Sequence, residues 1–229
     1  MCGRYVLKII GGEKYWFWED SRTVVPRDLR DKGFSSFNVA PSTMVPVVRV
    51  VAGERRIDLL RWGLIPFWAK GMPPAYSTIN ATREKVTDAP TWRGPWRRGQ
   101  RCLMLSNGFY EWEARPEGKQ PHYVQLATQE MFGFAGLWDS STREDGTVIE
   151  SCAIITMPAN DFMAAIHNTK KRQPIVVRVE DREAWLTGDV ETAATILQRP
   201  DESWQAHPVS SRVNSPKNND AGLIETAKT

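Results

Sequence analysis

From Val45 onward the chain is cut into short β-forming runs by turn signals, and that spacing limits the fold more than any other feature. Val45-Pro46-Val47-Val48-Arg49-Val50-Val51 is dense in β-branched residues, and Pro46 suits the first residues of a strand or an edge. Ala52-Gly53-Glu54-Arg55 reads as a hairpin connection to a second run, Arg56 to Trp62. Further runs fall at 101–105, 109–113, 123–126, 131–138, 149–157 and 174–179, with a last one around 206–210. Pro116-Glu117-Gly118-Lys119 and Glu144-Asp145-Gly146 are among the breaks between them. This pattern predicts an antiparallel meander. Helices are few: 161–166 behind an Asn160 cap, then 181–186 and 191–197, split at Thr187-Gly188. The start reads as helix plus loop, from a Gly11-Gly12 turn through the aromatic cluster Tyr15-Trp16-Phe17-Trp18. The expected fold class is α+β, a single domain over 1–219. A polar, frayed tail is expected at 220–229, apart from a short turn at Leu223-Ile224.

With 229 residues, 41% hydrophobic and 25% charged, the chain has material for a substantial core. Its three cysteines cannot all pair internally, and none sits in a CxxC arrangement. The three histidines are scattered, without HExxH or HxH spacing, so neither a metal nor a cofactor is expected. No apolar run reaches membrane-spanning length, and the start lacks the apolar stretch of a signal peptide. Free thiols and no export signal point to the cytoplasm. A net charge of +3 permits a polyanionic partner without requiring one.

Chemistry concentrates at the start, Met1-Cys2-Gly3-Arg4. Once Met1 is trimmed, Cys2 carries an α-amine and a thiol on one carbon skeleton. Their ordinary pKa values are about 7.7–8.0 and about 8.5, so both are partly deprotonated near neutrality. Such a 1,2-aminothiol reacts with an aldehyde through an imine and closes to a thiazolidine. The plain alternative is a cysteine that only packs. Glu111 lies within Phe109-Tyr110-Glu111-Trp112, on the strand face opposite Tyr110 and Trp112. It is either an exposed-face carboxylate or a desolvated general acid/base. His167 follows a helix and precedes Asn168-Thr169-Lys170-Lys171-Arg172, and a structural role competes with a catalytic one. Asn80 either orients a substrate oxygen or holds a turn. Trp92, Arg93, Trp96, Arg97, Arg98 and Arg101 interleave arginine with tryptophan, as a single-strand nucleic-acid track needs; a basic loop over a Trp anchor fits equally.

Seven blocks occur in order: Cys2-Gly3-Arg4, Asn38-Val39-Ala40-Pro41, Trp62-Gly63-Leu64-Ile65-Pro66-Phe67-Trp68, Ile79-Asn80-Ala81, Arg101-Cys102-Leu103 with Gly108-Phe109-Tyr110-Glu111-Trp112, Ile166-His167-Asn168 with Lys171-Arg172-Gln173-Pro174, and His207-Pro208-Val209-Ser210. Together they resemble the SOS-response-associated peptidase (SRAP) family, the abasic-site-processing proteins, from residue 2 to about residue 219. The resemblance implies a curved antiparallel, barrel-like sheet with peripheral helices and a basic DNA channel. It implies a thiazolidine crosslink between Cys2 and an abasic site in single-stranded DNA, with Cys2, Asn80, Glu111 and His167 as the catalytic set. DNA contacts are expected at Arg4, Asn38, Pro41, Trp68, Arg83, Arg97, Arg98, Thr156, Arg172 and Pro208, in a chain acting as a monomer. Where the family commonly has Arg two residues after the Asn, this chain has Thr82, with the arginine displaced to Arg83. The spacing from His167 to Arg172 is also longer than usual. Two other functions remain in view: an amide hydrolase with Cys2 as N-terminal nucleophile, and a non-covalent single-strand binder.

Overall fold

The structure is a computed structural model describing residues 2–11, 23–128, 131–198 and 203–227. Met1 and the 15–18 aromatic cluster lie outside the described residues. One sheet is antiparallel throughout, in the order β13-β8-β7-β1-β2. Its strands are β1 (Arg4–Ile10), β2 (Gly33–Val39), β7 (Gly108–Arg115), β8 (Gly118–Leu126) and β13 (Trp204–Pro208). The other sheet holds β3 (Met44–Val51), β4 (Glu54–Trp62), β5 (Asn80–Thr82), β6 (Arg101–Ser106), β9 (Phe132–Thr142), β10 (Val148–Pro158), β11 (Arg172–Pro174) and β12 (Val176–Val177).

Five of these, β4-β3-β6-β9-β10, close into a barrel because β10 pairs with both β9 and β4. The curved, barrel-like sheet expected from the sequence is observed, antiparallel except where β10 meets β4 and β5. Each antiparallel neighbour reverses strand direction, so a ring with an odd number of strands must contain one parallel pair. That pair is β10 with β4, over Ser151↔Arg61 and Cys152↔Trp62. β4 then turns away at Gly63, whose φ of 117° favours glycine and whose N–H donates to the Cys152 carbonyl at 2.9 Å. β5 takes its place beside β10, also parallel, with Ile154↔Asn80. Pro46 sits just before β3 begins pairing with β6 at Val47, where its missing N–H costs no ladder bond.

The helices are short: α1 (Arg27–Lys32), α2 (Arg93–Arg97), α3 (Asp161–Ile166), α4 (Arg182–Thr187) and α5 (Val190–Ile196). Asn160 caps α3 as expected, accepting from Met163 N–H. The expected 174–179 strand is split between β11, β12 and a turn. Tyr5 joins the two sheets: its ring lies 5.1 Å from Trp62 and 6.1 Å from Phe134, edge-on to both. Phe109 continues the cluster to Phe134 at 5.9 Å and Trp204 at 5.3 Å. Such pairs add about 0.5–1.5 kcal/mol each beyond area burial. Cys102 and Cys152 are buried in the same core, and burial lifts the Cys102 thiol to about 12, so both act as small apolar residues.

The tail does not fray over its described residues. Asp220 caps a turn at Ala221–Ile224 and pairs with Arg212 at 2.6 Å, and Leu223 is fully buried. His207 Nε2–H donates to the Ile224 carbonyl at 2.8 Å, Val209 bridges Thr226, and Ala227 N–H reaches the Pro208 carbonyl at 2.9 Å. One buried leucine and an edge strand in need of partners hold it in place.

Candidate active site and nucleic-acid surface

The register of β1 against β7, Arg4↔Tyr110 and Tyr5↔Phe109, carries the start of the chain toward Glu111. This pairing depends on Gly108, where a Cβ would strike the Tyr123 ring. Cys2 is 1% exposed. Its carbonyl accepts from Asn80 Nδ2–H at 2.9 Å, so β5 grips the backbone of the nucleophile directly. Asn80 Oδ1 is buried without a hydrogen-bond partner among the described residues. Burial pushes the Cys2 thiol well above its ordinary pKa, and the nearby Glu111 charge adds to the effect.

Glu111 is 2% exposed, which settles the sequence alternative in favour of a buried carboxylate. Tyr110 and Trp112 point to the opposite face, where Tyr110 Oη–H donates to the Phe37 carbonyl and Trp112 Nε1–H to Asn214 Oδ1, both at 2.8 Å. His167 closes α3, and its Nδ1 lies 2.9 Å from the Arg172 carbonyl. The Arg172 N–H also approaches Nδ1, at 3.3 Å; when Nδ1–H donates to the nearer carbonyl, Nε2 is the basic nitrogen. Asn168 fastens this loop to β7, its side chain bonding both N–H and C=O of Ala114 at 2.9 Å. A buried thiol, a buried carboxylate acting on it and an amide with a spare acceptor can carry out nucleophilic addition with proton transfer.

The residues read as DNA contacts are dispersed. Arg4 is partly buried, which lowers its pKa, and among the described residues its Nη atoms reach the Gly3 and Asn214 carbonyls at 3.4 and 3.5 Å. Trp68 is 46% exposed on a 3-10 turn at Phe67–Ala69. Arg97 is exposed on α2, Pro41 sits in a half-buried turn, and Pro208 lies half-buried on β13. Asn38 is turned inward: its Nδ2 lies 2.9–3.2 Å from the carbonyls of Val213, Ser215 and Asn218, holding the 213–218 loop. Thr156 is fully buried on the Ala81 carbonyl. Arg83 donates to the Leu197 carbonyl at the end of α5, at 3.1 Å. Arg172 is clasped by both oxygens of Glu84 at 3.1 and 2.9 Å, a partner the sequence did not suggest. Arg98 pairs with Asp139 at 2.9 Å. The Trp–Arg track is corrected: Trp92 and Trp96 are buried, and Arg101 is bound to the carbonyls of Trp185 and Gly188. The two tryptophans anchor the stretch, as the plainer reading held, but they do so around the short helix α2 and not a loop. The Arg98 partner, Asp139, is marked in the sequence as a lone carboxylate directly after the apolar run Phe132 to Trp138.

Among the described residues no cluster of His, Cys, Asp or Glu could hold a metal, and no helix is long and apolar enough to cross a membrane.

The family model described as "SOS response associated peptidase (SRAP)" matches residues 1–216. The chain is 37% identical over 196 residues to the abasic site processing protein YoqW of Bacillus subtilis (strain 168), covering 83% of this chain and 86% of that one. To the abasic site processing protein HMCES of Xenopus tropicalis it is 29% identical over 254 residues, covering 95% and 73%. A crystal structure of a protein from Bacteroides thetaiotaomicron superposes with a TM-score of 0.75 at 26% identity, over 84% of this chain and 85% of that one.

Proposed function

Since the chain belongs to the SRAP family, we propose that it captures abasic sites in single-stranded DNA by a covalent thiazolidine link through Cys2. The observation that carries this reading is the placement of Cys2, its carbonyl held by Asn80 and its thiol beside the buried Glu111. The reaction needs Met1 removed, so that the Cys2 amine is free.

The direction of the thiol shift agrees with an order in which the amine reacts before the sulfur. At neutral pH the thiol stays protonated, so the amine attacks first at C1′ of the open-chain sugar. A water leaves and the C=N bond forms. The sulfur then adds to that carbon, its proton passing to nitrogen through a nearby base, and the ring closes with no net loss beyond one water. Asn80 fixes the amine-bearing residue, and its spare Oδ1 suits an amine N–H or a sugar hydroxyl. In this reading Glu111 protonates the ring oxygen as the sugar opens and relays the thiol proton, and His167 Nε2 is a second base. Trp68 stacks where the missing base leaves a gap, and Arg4 and Arg97 meet phosphates. Without the thiol, the imine persists and permits β-elimination.

Intact-mass measurement after mixing with an abasic oligonucleotide tests this. The expected product is the sum of protein lacking Met1 and DNA, less one water. Cys2→Ala should give no stable adduct and some cleaved strand. An unchanged adduct in Cys2→Ala refutes the link through Cys2. Turnover of a supplied peptide with no DNA adduct would favour the amide hydrolase instead.

A further inference from the structure

The chain from Ile65 to Gly71 has no strand partner among the described residues, yet side chains of β9 and β10 pin it at successive points. Ser151 Oγ accepts from Ile65 N–H at 2.7 Å, Asp139 Oδ2 from Phe67 N–H at 3.0 Å, and Ser141 Oγ from Gly71 N–H at 2.8 Å. The Ser141 hydroxyl also donates to the Phe67 carbonyl at 3.4 Å. Asp139, Ser141 and Ser151 are all fully or almost fully buried. Buried polar groups need partners, and here the backbone of the 65–71 segment supplies them.

The other Asp139 oxygen accepts from Arg98 Nη2 at 2.9 Å, and the Arg98 guanidinium lies 5.3 Å from the centre of the Phe67 ring. Gln100 Oε1 takes Arg98 Nε–H at 2.6 Å, fixing the plane of the guanidinium. One carboxylate therefore ties down both the backbone of the turn and the cation against its aromatic ring. Above this anchor Phe67 is 56% exposed and Trp68 46%. Trp68 gains a further restraint from Nε1–H donating to the Pro90 carbonyl at 3.4 Å. Two large aromatic faces left in water on a rigidly tethered turn suit a ligand that stacks, because the ordering cost is met before binding.

We propose that Asp139 is a positioning residue for DNA engagement: with Arg98 it locks Phe67 and Trp68 as a preformed stacking platform for the bases flanking the lesion. Arg98 is thereby a strut under the platform and not a phosphate contact. The inference rests on the reading that Trp68 meets the lesion strand.

The test uses the full chain with Cys2 exposed and measures three quantities. They are the half-saturating concentration of abasic single-stranded DNA, its dependence on salt, and the rate at which Cys2 reacts with a small aldehyde such as glycolaldehyde. Asp139→Ala should raise the half-saturating concentration about ten-fold, a share of the stacking contribution. Asp139→Asn keeps an acceptor for Phe67 N–H but loses the ion pair, and should fall between. Neither should change the small-aldehyde rate by more than about two-fold, since that reaction needs no platform. Arg98→Ala should weaken binding with an unchanged salt slope. A slope reduced by about 0.7 would mark a phosphate contact and overturn the strut. If Trp68→Ala weakens binding while both Asp139 variants do not, the positioning role is wrong. If Trp68→Ala itself has no effect, the stacking reading fails first and takes this one with it. Loss of the small-aldehyde reaction in Asp139→Asn would show a role in the fold as a whole and also refute the proposal.

Discussion

Asn80→Asp is the most informative single change, because it keeps shape and removes one capability. The wild-type amide donates to the Cys2 carbonyl at 2.9 Å in a buried setting. A carboxylate presents only acceptors, so the Cys2 carbonyl loses its donor and faces a negative charge. Leaving a buried acceptor unsatisfied costs about 1–3 kcal/mol, which in a chain of this size lowers Tm by about 2–12 °C. The effect on chemistry should be larger. The bond holds the residue whose amine must meet C1′, and a displacement of about 1 Å at a reacting centre costs about 100-fold in rate. The assay is single-turnover crosslinking at saturating abasic DNA, followed by denaturing electrophoresis, with circular dichroism to establish the fold. The expected result is a rate lowered about 10- to 100-fold at unchanged DNA affinity. Asn80→Ala should be slowed similarly. A rate within about two-fold of wild type in a folded Asn80→Asp protein would refute the idea that this amide positions the nucleophile.

Glu84→Gln should free Arg172 from a two-oxygen clasp; tighter binding to single-stranded DNA and a salt slope steeper by about 0.7 are expected, and an unchanged slope excludes Arg172 from phosphate contact. Leu223→Ala removes a fully buried side chain and should cost about 2–5 kcal/mol in denaturant unfolding if the tail belongs to the core; a loss under about 0.5 kcal/mol would mean it does not. Stability should also fall at alkaline pH. The Cys102 thiol titrates at about 12 when folded and at about 8.5 when unfolded, so its contribution is full below the unfolded value and is lost through the folded one. Between these limits the unfolded chain has released a proton that the folded chain keeps, lowering stability by about 1.4 kcal/mol per pH unit. Cys2 and Cys152, also raised by burial, add to the slope in the same direction, so Cys102→Ala should make it shallower by about 1.4 kcal/mol per pH unit in urea titrations between pH 8.5 and 10.5, and an unchanged slope would refute the assignment.

The strand runs were legible because their signals are local. β-branched density and turn residues mark β3, β4 and β6 to β10 within a few positions, and period-two alternation correctly put Tyr110 and Trp112 on the face away from Glu111. What the sequence left hidden depends on partners far along the chain. Trp96 looked available for stacking, but it lies 6.3 Å from Trp185 and is buried. Asn38 looked like a ligand contact, but its amide is spent on carbonyls more than 170 residues away. Arg172 gave no sign of Glu84, and the polar tail showed its turn at Leu223-Ile224 but not that Leu223 is buried. Charge and aromatic content describe what a side chain can do, whereas burial and competition decide whether it is free to do it.

The parallel seam, which the sequence did not reveal, bears most directly on the site. An antiparallel meander would have closed its barrel with an even number of strands and no seam. With five strands, β4 and β10 meet in parallel for only two residue pairs before Gly63 diverts the chain. The diverted segment, 63–79, cannot return as a hairpin partner of β4. It runs out as the turn bearing Phe67 and Trp68, pinned by Asp139, Ser141 and Ser151, and comes back as β5 on the same edge of β10. That return delivers Asn80 to the Cys2 carbonyl. The exposed aromatics and the amide that holds the nucleophile are thus two ends of one detour at the parallel seam. A change that lets β4 run straight on beside β10, such as Gly63→Val, should therefore impair aromatic platform and nucleophile placement together. DNA affinity and crosslinking rate would fall in one variant, where Trp68→Ala lowers chiefly the first and Asn80→Asp chiefly the second.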